Sequence, residues 1–217
     1  MTDEAKKILT EGALELGVSL DESKNKHFET FLGELQKWNE KMNLTSITEE
    51  KEIITRHFLD SLTPMRFLDG IEKILDIGSG AGFPGIPMKI AAPAIGITLM
   101  ESTEKKVLFL RHIIRTLVLP NAQTVFARAE DKGVIDMLKE NFGCVISRAL
   151  TGIDEFLTLA APYVRKNGMA IAMKGPTKGP GGEELKKELS GRKHELHEVK
   201  IPFTDRTTSI IIFHAPF

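Results

Sequence analysis

Asp76, Gly78, Gly80 and Gly82 stand two residues apart inside KILDIGSGAGFPGIP, residues 73–87. The apolar Ile74 and Leu75 ahead of Asp76 predict a strand. Pro84, Gly85 and Pro87, followed by MKIAA, predict that a helix opens at once. A strand that empties into a glycine turn and then a helix is the sequence form of a nucleotide-cradling unit. The glycines let the backbone approach a ligand that a side chain would strike, and they supply positive φ. Glu101 closes the next apolar run, 23 residues after Gly78, with Ser102 and Thr103 behind it. A carboxylate there can accept from both hydroxyls of a ribose. A third strand leads into Ala129 and Glu130, where adenine would lie.

Charge separates the possible ligands. Gly80, Gly82 and Gly85 match the dinucleotide pattern G-x-G-x-x-G, but Asp76 and Gly78 come earlier, at the strand end. A pyrophosphate wants free N–H groups and no nearby anion. An acidic residue in the turn suits a cationic amino acid tail. S-adenosylmethionine has that tail and no phosphate, so it is favoured over NAD. The bland alternatives are a turn that binds nothing and a solvated Glu101.

These residues need an α/β frame to hold them. Apolar spacing predicts helices over 3–17, from about 22 to 41, and over 49–67, an all-helical extension of about 70 residues. From Lys73 strands alternate with helices: KILDI, GITLME, QTVFA, CVIS and MAIAMK, then ELHEVKI and SIIIFHA closely spaced. The helix over 103–118 should face inward through Val107, Leu108, Leu110, Ile114 and Leu117. The expected fold is a mostly parallel α/β sheet with an antiparallel edge strand. That is the Rossmann-like order of class I S-adenosylmethionine-dependent methyltransferases. The domain reading is a helical extension, 1–70, packed on a methyltransferase core, 71–217.

Lys and Arg number 29 against 30 Asp and Glu, so any nucleic-acid contact must come from a local basic face. The single cysteine, Cys144, excludes an internal disulfide and fits a reducing cytoplasm. No run of 18 apolar residues occurs, and the acidic, amphipathic N-terminus does not read as a signal peptide.

The sequence resembles the bacterial small-subunit rRNA methyltransferase G family, also called glucose-inhibited division protein B. The resemblance rests on Asn43–Ile47 (NLTSI), Arg56–Leu62 (RHFLDSL), Asp76–Pro87, Arg128–Glu130 (RAE), Ser147–Ala149 (SRA) and MKG at 173–175, in that order. It spans about residue 28 to the C-terminus. It implies methyl transfer from S-adenosylmethionine to N7 of one guanine in 16S rRNA. The expected protein is a cytoplasmic monomer acting on the small ribosomal subunit or its assembly intermediate. It also implies cofactor positions at Gly78, Phe83, Ala129, Glu130 and Arg148, adenosine contacts over Glu101–Thr103, and an RNA contact at Arg206. Phe83 stands where relatives often carry leucine.

The residues can be asked separately which methyl transfer they support. Attack by C5 of a pyrimidine generally requires a cysteine nucleophile. Cys144 opens an apolar strand, where a buried structural role is expected. Methylation of an exocyclic amine usually uses an Asn/Asp-Pro-Pro-Tyr-type element, and the fourth strand runs instead into Ser147-Arg148-Ala149. Guanine N7 has a free lone pair and needs no base, so alignment can suffice. No catalytic residue is assigned; Arg148 and His57 are candidates for positioning. Arg148 would hold the cofactor side or the base O6 and a phosphate, or else form a salt bridge to a neighbouring helix. Arg56 and Asp60 are spaced for an intrahelical pair. Alternatively Arg56 and His57 face the cleft with Asn43 and contact RNA. Lys174, Lys178, Lys186, Lys187, Arg192 and Lys193 surround the loop GPTKGPGGEE, with Arg165 and Lys166 adding to the charge, as a phosphate-docking face or a solvated surface. No metal ligand set is evident. The other functions left open are methylation of a small molecule or protein, and a non-catalytic cofactor-binding regulator.

Overall fold

The computed structural model describes residues 1–148, 152–179 and 181–217. Ala149 of the SRA element and Pro180 of the glycine-proline loop lie outside the described residues. Helix α1, Asp3–Glu15, starts where the Thr2 hydroxyl accepts from the Ala5 N–H. Helix α2, Glu22–Met42, starts where the Asp21 carboxylate accepts from the Lys24 N–H. Such caps satisfy amide donors that a helix start leaves open. Asn43 stops α2 in the left-handed conformation, with φ at 49°.

The single helix expected over 49–67 is broken. It runs as α3, Glu50–Ile53, then a wider π-helical segment, Ile54–Leu59, then α4, Asp60–Leu62. A 3₁₀ turn, Met65–Phe67, follows Pro64. Side chains compete here for helix carbonyls: Thr55 Oγ1 donates to Lys51 O at 2.9 Å, Ser61 Oγ to His57 O at 2.5 Å and Thr63 Oγ1 to Asp60 O at 2.7 Å. Arg148 Nη1 takes the Arg56 carbonyl at 3.2 Å. The regular i→i−4 ladder therefore gives way at His57.

The remaining chain builds a seven-stranded sheet in the order β3-β2-β1-β4-β5-β7-β6. Its strands are β1 Lys73–Ile77, β2 Gly96–Glu101, β3 Ala122–Phe126, β4 Phe142–Arg148, β5 Val164–Lys174, β6 Glu195–Lys200 and β7 Thr207–His214. The first five pair in parallel; β7 runs antiparallel to β5 and to β6. The crossover helices are α5 Gly85–Ala91, α6 Glu104–Thr116, α7 Lys132–Leu138, α8 Ile153–Ala160 and α9 Gly182–Leu189. On α6 the inner face differs from the expected one. Phe109 and Ile113 are buried while Leu108 is 47% exposed, so the buried stripe is Val107, Phe109, Leu110 and Ile113.

The sheet splits the core in two, because alternate strand residues face opposite sides. Ile74 joins one cluster and its neighbour Leu75 the other. The first cluster takes in Leu9, Phe28, Phe31, Phe58 and Phe83, so the N-terminal helices and the glycine turn share one apolar interior. Phe31 stacks on Phe58 at 5.4 Å and meets Phe83 at 5.5 Å, between α2, the π segment and the turn after β1. Lys105 Nζ, in the first turn of α6, donates to Met42 O at the end of α2 at 2.7 Å. The helical extension is thereby pinned beside the carboxyl ends of the strands.

Candidate active site

The turn after β1 spends its amides inside the protein. Gly78 N and Ser79 N donate to Met100 O, at 2.9 and 3.1 Å, and Gly82 N and Phe83 N donate to Ser79 O. Gly80 N donates to Glu101 Oε2 at 2.9 Å, and Gly85 N to Asp76 Oδ2 at 3.0 Å. This is the reverse of a pyrophosphate cradle, which presents amides outward. The turn still leaves room on its open side. A Cβ at Gly78 would meet nothing within 4 Å, and one at Gly80 would meet only Gly78 O at 3.9 Å. Both residues have positive φ, 72° and 60°. Gly82 and Gly85 serve packing instead: a Cβ on Gly82 would come within 2.6 Å of Ile86, and one on Gly85 would collide with Leu99.

Asp76 is wholly buried beneath this turn. Its Oδ2 caps α5 through Gly85, and its Oδ1 has no partner among the described residues. Burial pushes its carboxyl up to about 7, against the pull of the Gly85 N–H. Glu101 is buried at the end of β2. Besides Gly80 N its carboxylate accepts from Thr103 N at 2.8 Å, so it ties the glycine turn to the start of α6. A carboxylate offers about four acceptor positions, so about two remain. Ser102 is exposed and Thr103 half-buried beside it. Ala129 is buried, and its carbonyl accepts the Tyr163 hydroxyl at 2.6 Å, which fixes the segment after β3. Glu130 is exposed next to it, 3.7 Å from Arg128.

Arg148, the last residue of β4, sits at the centre of a polar chain. Nη1 donates to Asp60 Oδ2 at 3.0 Å, and Nη2 lies 3.2 Å from His57 Nδ1. A guanidinium only donates, so Nδ1 accepts and His57 carries its proton on Nε2. That proton points to Thr45 Oγ1, 2.9 Å away. Asp60 Oδ1 accepts the Thr208 hydroxyl from β7. Phe83 lies under both bases: the His57 ring stacks on it at 4.4 Å, and the Arg148 guanidinium sits 5.1 Å from its centroid. Burial and the neighbouring Arg148 push the His57 imidazolium down to about 3, so the ring is neutral at physiological pH.

The expected Arg56–Asp60 pair does not form. Arg56 Nη1 pairs with Glu52 at 3.3 Å, and Asp60 with Arg148. The π segment between them turns the two side chains away from the common face that a regular helix would give. The salt bridge from Arg148 to a neighbouring helix, one of its expected alternatives, is present.

Arg148, Arg56, His57 and Asp60 line one cavity of about 430 Å³ together with Lys174, Arg206 and Thr208. It lies at the carboxyl ends of β4 and β5, where open α/β sheets bind ligands. Asn43 does not line it. It faces a second cavity, of about 630 Å³, lined by Gln36, Asn39, Thr45 and Thr48 among others, with Ile47 shared between the two. Part of the expected basic face is used internally: Lys186 pairs with Glu183, and Arg192 with Asp154. The loop after β5 is anchored, since Thr177 donates from both its N–H and its hydroxyl to Glu198 Oε1. Cys144 is fully buried, its thiol pushed up far beyond the usual range by burial. No cluster of metal-ligating side chains occurs among the described residues. Thr45, Thr208 and Tyr163 are not legible in the sequence as site residues. Thr45 meets a partner 12 residues away, Tyr163 one 34 away and Thr208 one 148 away, and no short-range pattern marks such pairs.

Sheet order, glycine turn and cavity together define a class I methyltransferase. A methyltransferase from Geobacter sulfurreducens superposes with a TM-score of 0.56 over 85% of this chain and 87% of its own, at 14% identity. An S-adenosylmethionine-dependent methyltransferase from Aquifex aeolicus gives 0.56 over 74% and 92%, also at 14% identity. The family model described as rRNA small subunit methyltransferase G matches residues 24–210, and the chain belongs to that family. Proteins named ribosomal RNA small subunit methyltransferase G are similar along nearly the whole length. The one from Caldanaerobacter subterraneus subsp. tengcongensis is 40% identical over 98% of this chain and 90% of its own. The one from Geobacter metallireducens is 38% identical over 98% and 97%.

Proposed function

We propose that the protein transfers a methyl group from S-adenosylmethionine to guanine N7 of 16S rRNA. The observation that carries the nucleophile is the state of His57. Its one lone pair on nitrogen is held by Arg148, so it has no site free to take a proton. An acceptor atom that must lose a proton would find no base there. Guanine N7 has a lone pair and no proton, and needs only to be aligned. S-adenosylmethionine supplies, when bound, a methyl group on a positively charged sulfur.

The residues present fit that cofactor. The open faces of Gly78 and Gly80 leave room for its tail, and the free Oδ1 of Asp76 supplies negative charge beneath the ammonium. Glu101 has acceptor capacity left for the ribose hydroxyls, with Ser102 and Thr103 beside it. Ala129 and Glu130 border the adenine, and Gly82 and Phe83 shape the turn. The cationic lining of the cavity, from Arg56, Arg148, Lys174 and Arg206, meets phosphates flanking the target base. Asn43 faces the neighbouring cavity, which shares Ile47 with this one. The reading includes a cytoplasmic monomer acting on the small ribosomal subunit or its assembly intermediate. The test is methylation of 16S rRNA from cells lacking the enzyme, with the product located by N7-specific strand cleavage. A product at any other atom refutes the assignment.

A further inference from the structure

The turn between β6 and β7 carries a feature that the cavity does not use. Phe203 has φ at +62° and is 47% exposed. The left-handed region is uncommon for any residue but glycine and a genuine outlier for a bulky one. An exposed ring does not recover that cost by full burial. The turn is nevertheless held firmly. Ile201 N donates to Arg206 O at 2.9 Å, Thr204 Oγ1 to Ile201 O at 2.9 Å, and Arg206 N to Thr204 Oγ1 at 3.0 Å. Pro202 packs on α1 so closely that a Cβ on Gly12 would lie 3.3 Å from Pro202 Cβ. Bracing of this kind keeps the ring turned outward.

Its position is informative. Ile201, Arg206 and Thr207, from the same turn, line the cationic cavity. Arg206 is exposed, and its guanidinium has no protein partner among the described residues. Other large rings are elsewhere: Tyr163 is buried, Phe126 ends β3 at the far edge of the sheet, and Phe217 is at the C-terminus. Phe203 is thus an exposed aromatic ring in the short turn whose Ile201 and Arg206 line the cavity.

We propose that Phe203 is a stacking platform for an unpaired base next to the guanine held in the cavity, with Arg206 on the intervening phosphate. The proposal rests on the rRNA reading above. An aromatic face accepts any base, and truncating such a contact weakens binding by roughly fivefold to a hundredfold. The pairing of a ring with an adjacent cation is the usual composition of a single-strand site.

The test compares Phe203→Gly, Phe203→Ala and Phe203→Trp, the last in a Trp38→Phe background, for binding to a 16S rRNA transcript. Glycine relieves the positive φ, and thermal denaturation checks that each variant is folded. We expect Phe203→Gly and Phe203→Ala to bind the transcript about tenfold more weakly, with S-adenosylmethionine affinity unchanged by calorimetry. In Phe203→Trp, RNA should quench the tryptophan fluorescence while affinity is retained. Parental RNA affinity in Phe203→Gly, or fluorescence that RNA leaves unquenched in Phe203→Trp, overturns the proposal while leaving the methyltransferase reading intact. A parent protein that binds no rRNA overturns both.

Discussion

Arg148 Nη2 donates to His57 Nδ1 across 3.2 Å and thereby decides the tautomer of the ring. The imidazole is held from both sides, by Arg148 on β4 and by Thr45 Oγ1 in the loop after α2. A proton on Nδ1 would face a guanidinium, which adds to burial in pushing the charged form down to about 3. The folded protein keeps His57 neutral where the unfolded chain, near 6.5, takes up a proton. The unfolded state therefore binds more protons as pH falls below about 6.5, and this contribution to stability, fully present above that value, is lost progressively toward about pH 3. Nitrogen NMR should find His57 neutral and Nε2-protonated at about pH 5. A titration near the ordinary imidazole value would refute the arrangement. His57→Gln should flatten this part of the stability profile.

Replacing Thr45 by valine removes the acceptor of the Nε2 proton and leaves the buried His57 donor unpaired. The expected loss is about 1–3 kcal/mol of stability. Methyl transfer should fall with it, because the ring that stacks on Phe83 beside Arg148 loses its anchor. Asp60→Asn should cost more, since it leaves Arg148 without its counter-charge. Thermal unfolding and single-turnover transfer to rRNA measure the two effects separately. Full activity in Thr45→Val would show that His57 orientation is set elsewhere.

Much of this architecture is legible in the residue order. KILDI, GITLME and the two closing runs mark strands because each alternates or concentrates β-formers between turn residues. The helical spacing gives α2 within a residue or two at each end, and Asn43 just beyond it takes the left-handed conformation. The failures share a cause. The π segment at 54–59 arises from hydroxyls of Thr55, Ser61 and Thr63 and from Arg148, 92 residues from the Arg56 carbonyl it takes. Helical spacing cannot register such a competitor, so it points to an Arg56–Asp60 pair that does not form. Leu108 and Phe109 are adjacent and both apolar, and only packing against Phe31 and Trp38 selects Phe109 for the interior.

The glycines of the turn should separate by role. Gly85→Ala drives a methyl group into Leu99 and to 2.8 Å from Asp76 Oδ2, so the core must shift. Overpacking of this kind costs about 1–3 kcal/mol. Gly78→Ala meets no atom, and its cost is the left-handed backbone, about 1–2 kcal/mol. Yet its methyl group fills the open face of the turn. Gly78→Ala should remain folded and lose S-adenosylmethionine binding, while Gly85→Ala should lose stability first. Calorimetry and thermal denaturation of both variants decide it.

Asp76 gives a pH dependence of opposite sign to His57. Burial raises its folded value to about 7, from 3.8, so the ligand-free protein holds a proton there that the unfolded chain has released. Its contribution to stability is present below pH 3.8 and is lost as pH rises through about 7. A cationic ammonium over Oδ1 favours the ionised carboxylate, so ligand binding expels that proton below about pH 7. S-adenosylmethionine affinity should climb by up to about tenfold per pH unit between about 5 and 7 and level off above. Calorimetry in buffers of different ionisation enthalpy should detect the released proton at about pH 6. Asp76→Asn should abolish the release and flatten the profile; a wild-type protein with a flat profile would show that Asp76 stays ionised when empty.

Arg56 and Arg206 offer a separate count of RNA contacts. Arg56 pairs only with the exposed Glu52, and Arg206 with no protein side chain among the described residues. Exposed pairs contribute about 0–1 kcal/mol, so alanine at either position should leave the melting temperature nearly unchanged. Each guanidinium that meets a phosphate releases counterions on binding. Removing it should reduce the slope of log K against log salt by about 0.7 for a single strand. Arg56→Ala and Arg206→Ala should each show that reduction, and the double variant about twice as much, in binding to 16S rRNA at several salt concentrations. An unchanged slope with weaker binding would mean that the side chain reads a base edge instead, and would move that residue from phosphate docking to the guanine itself.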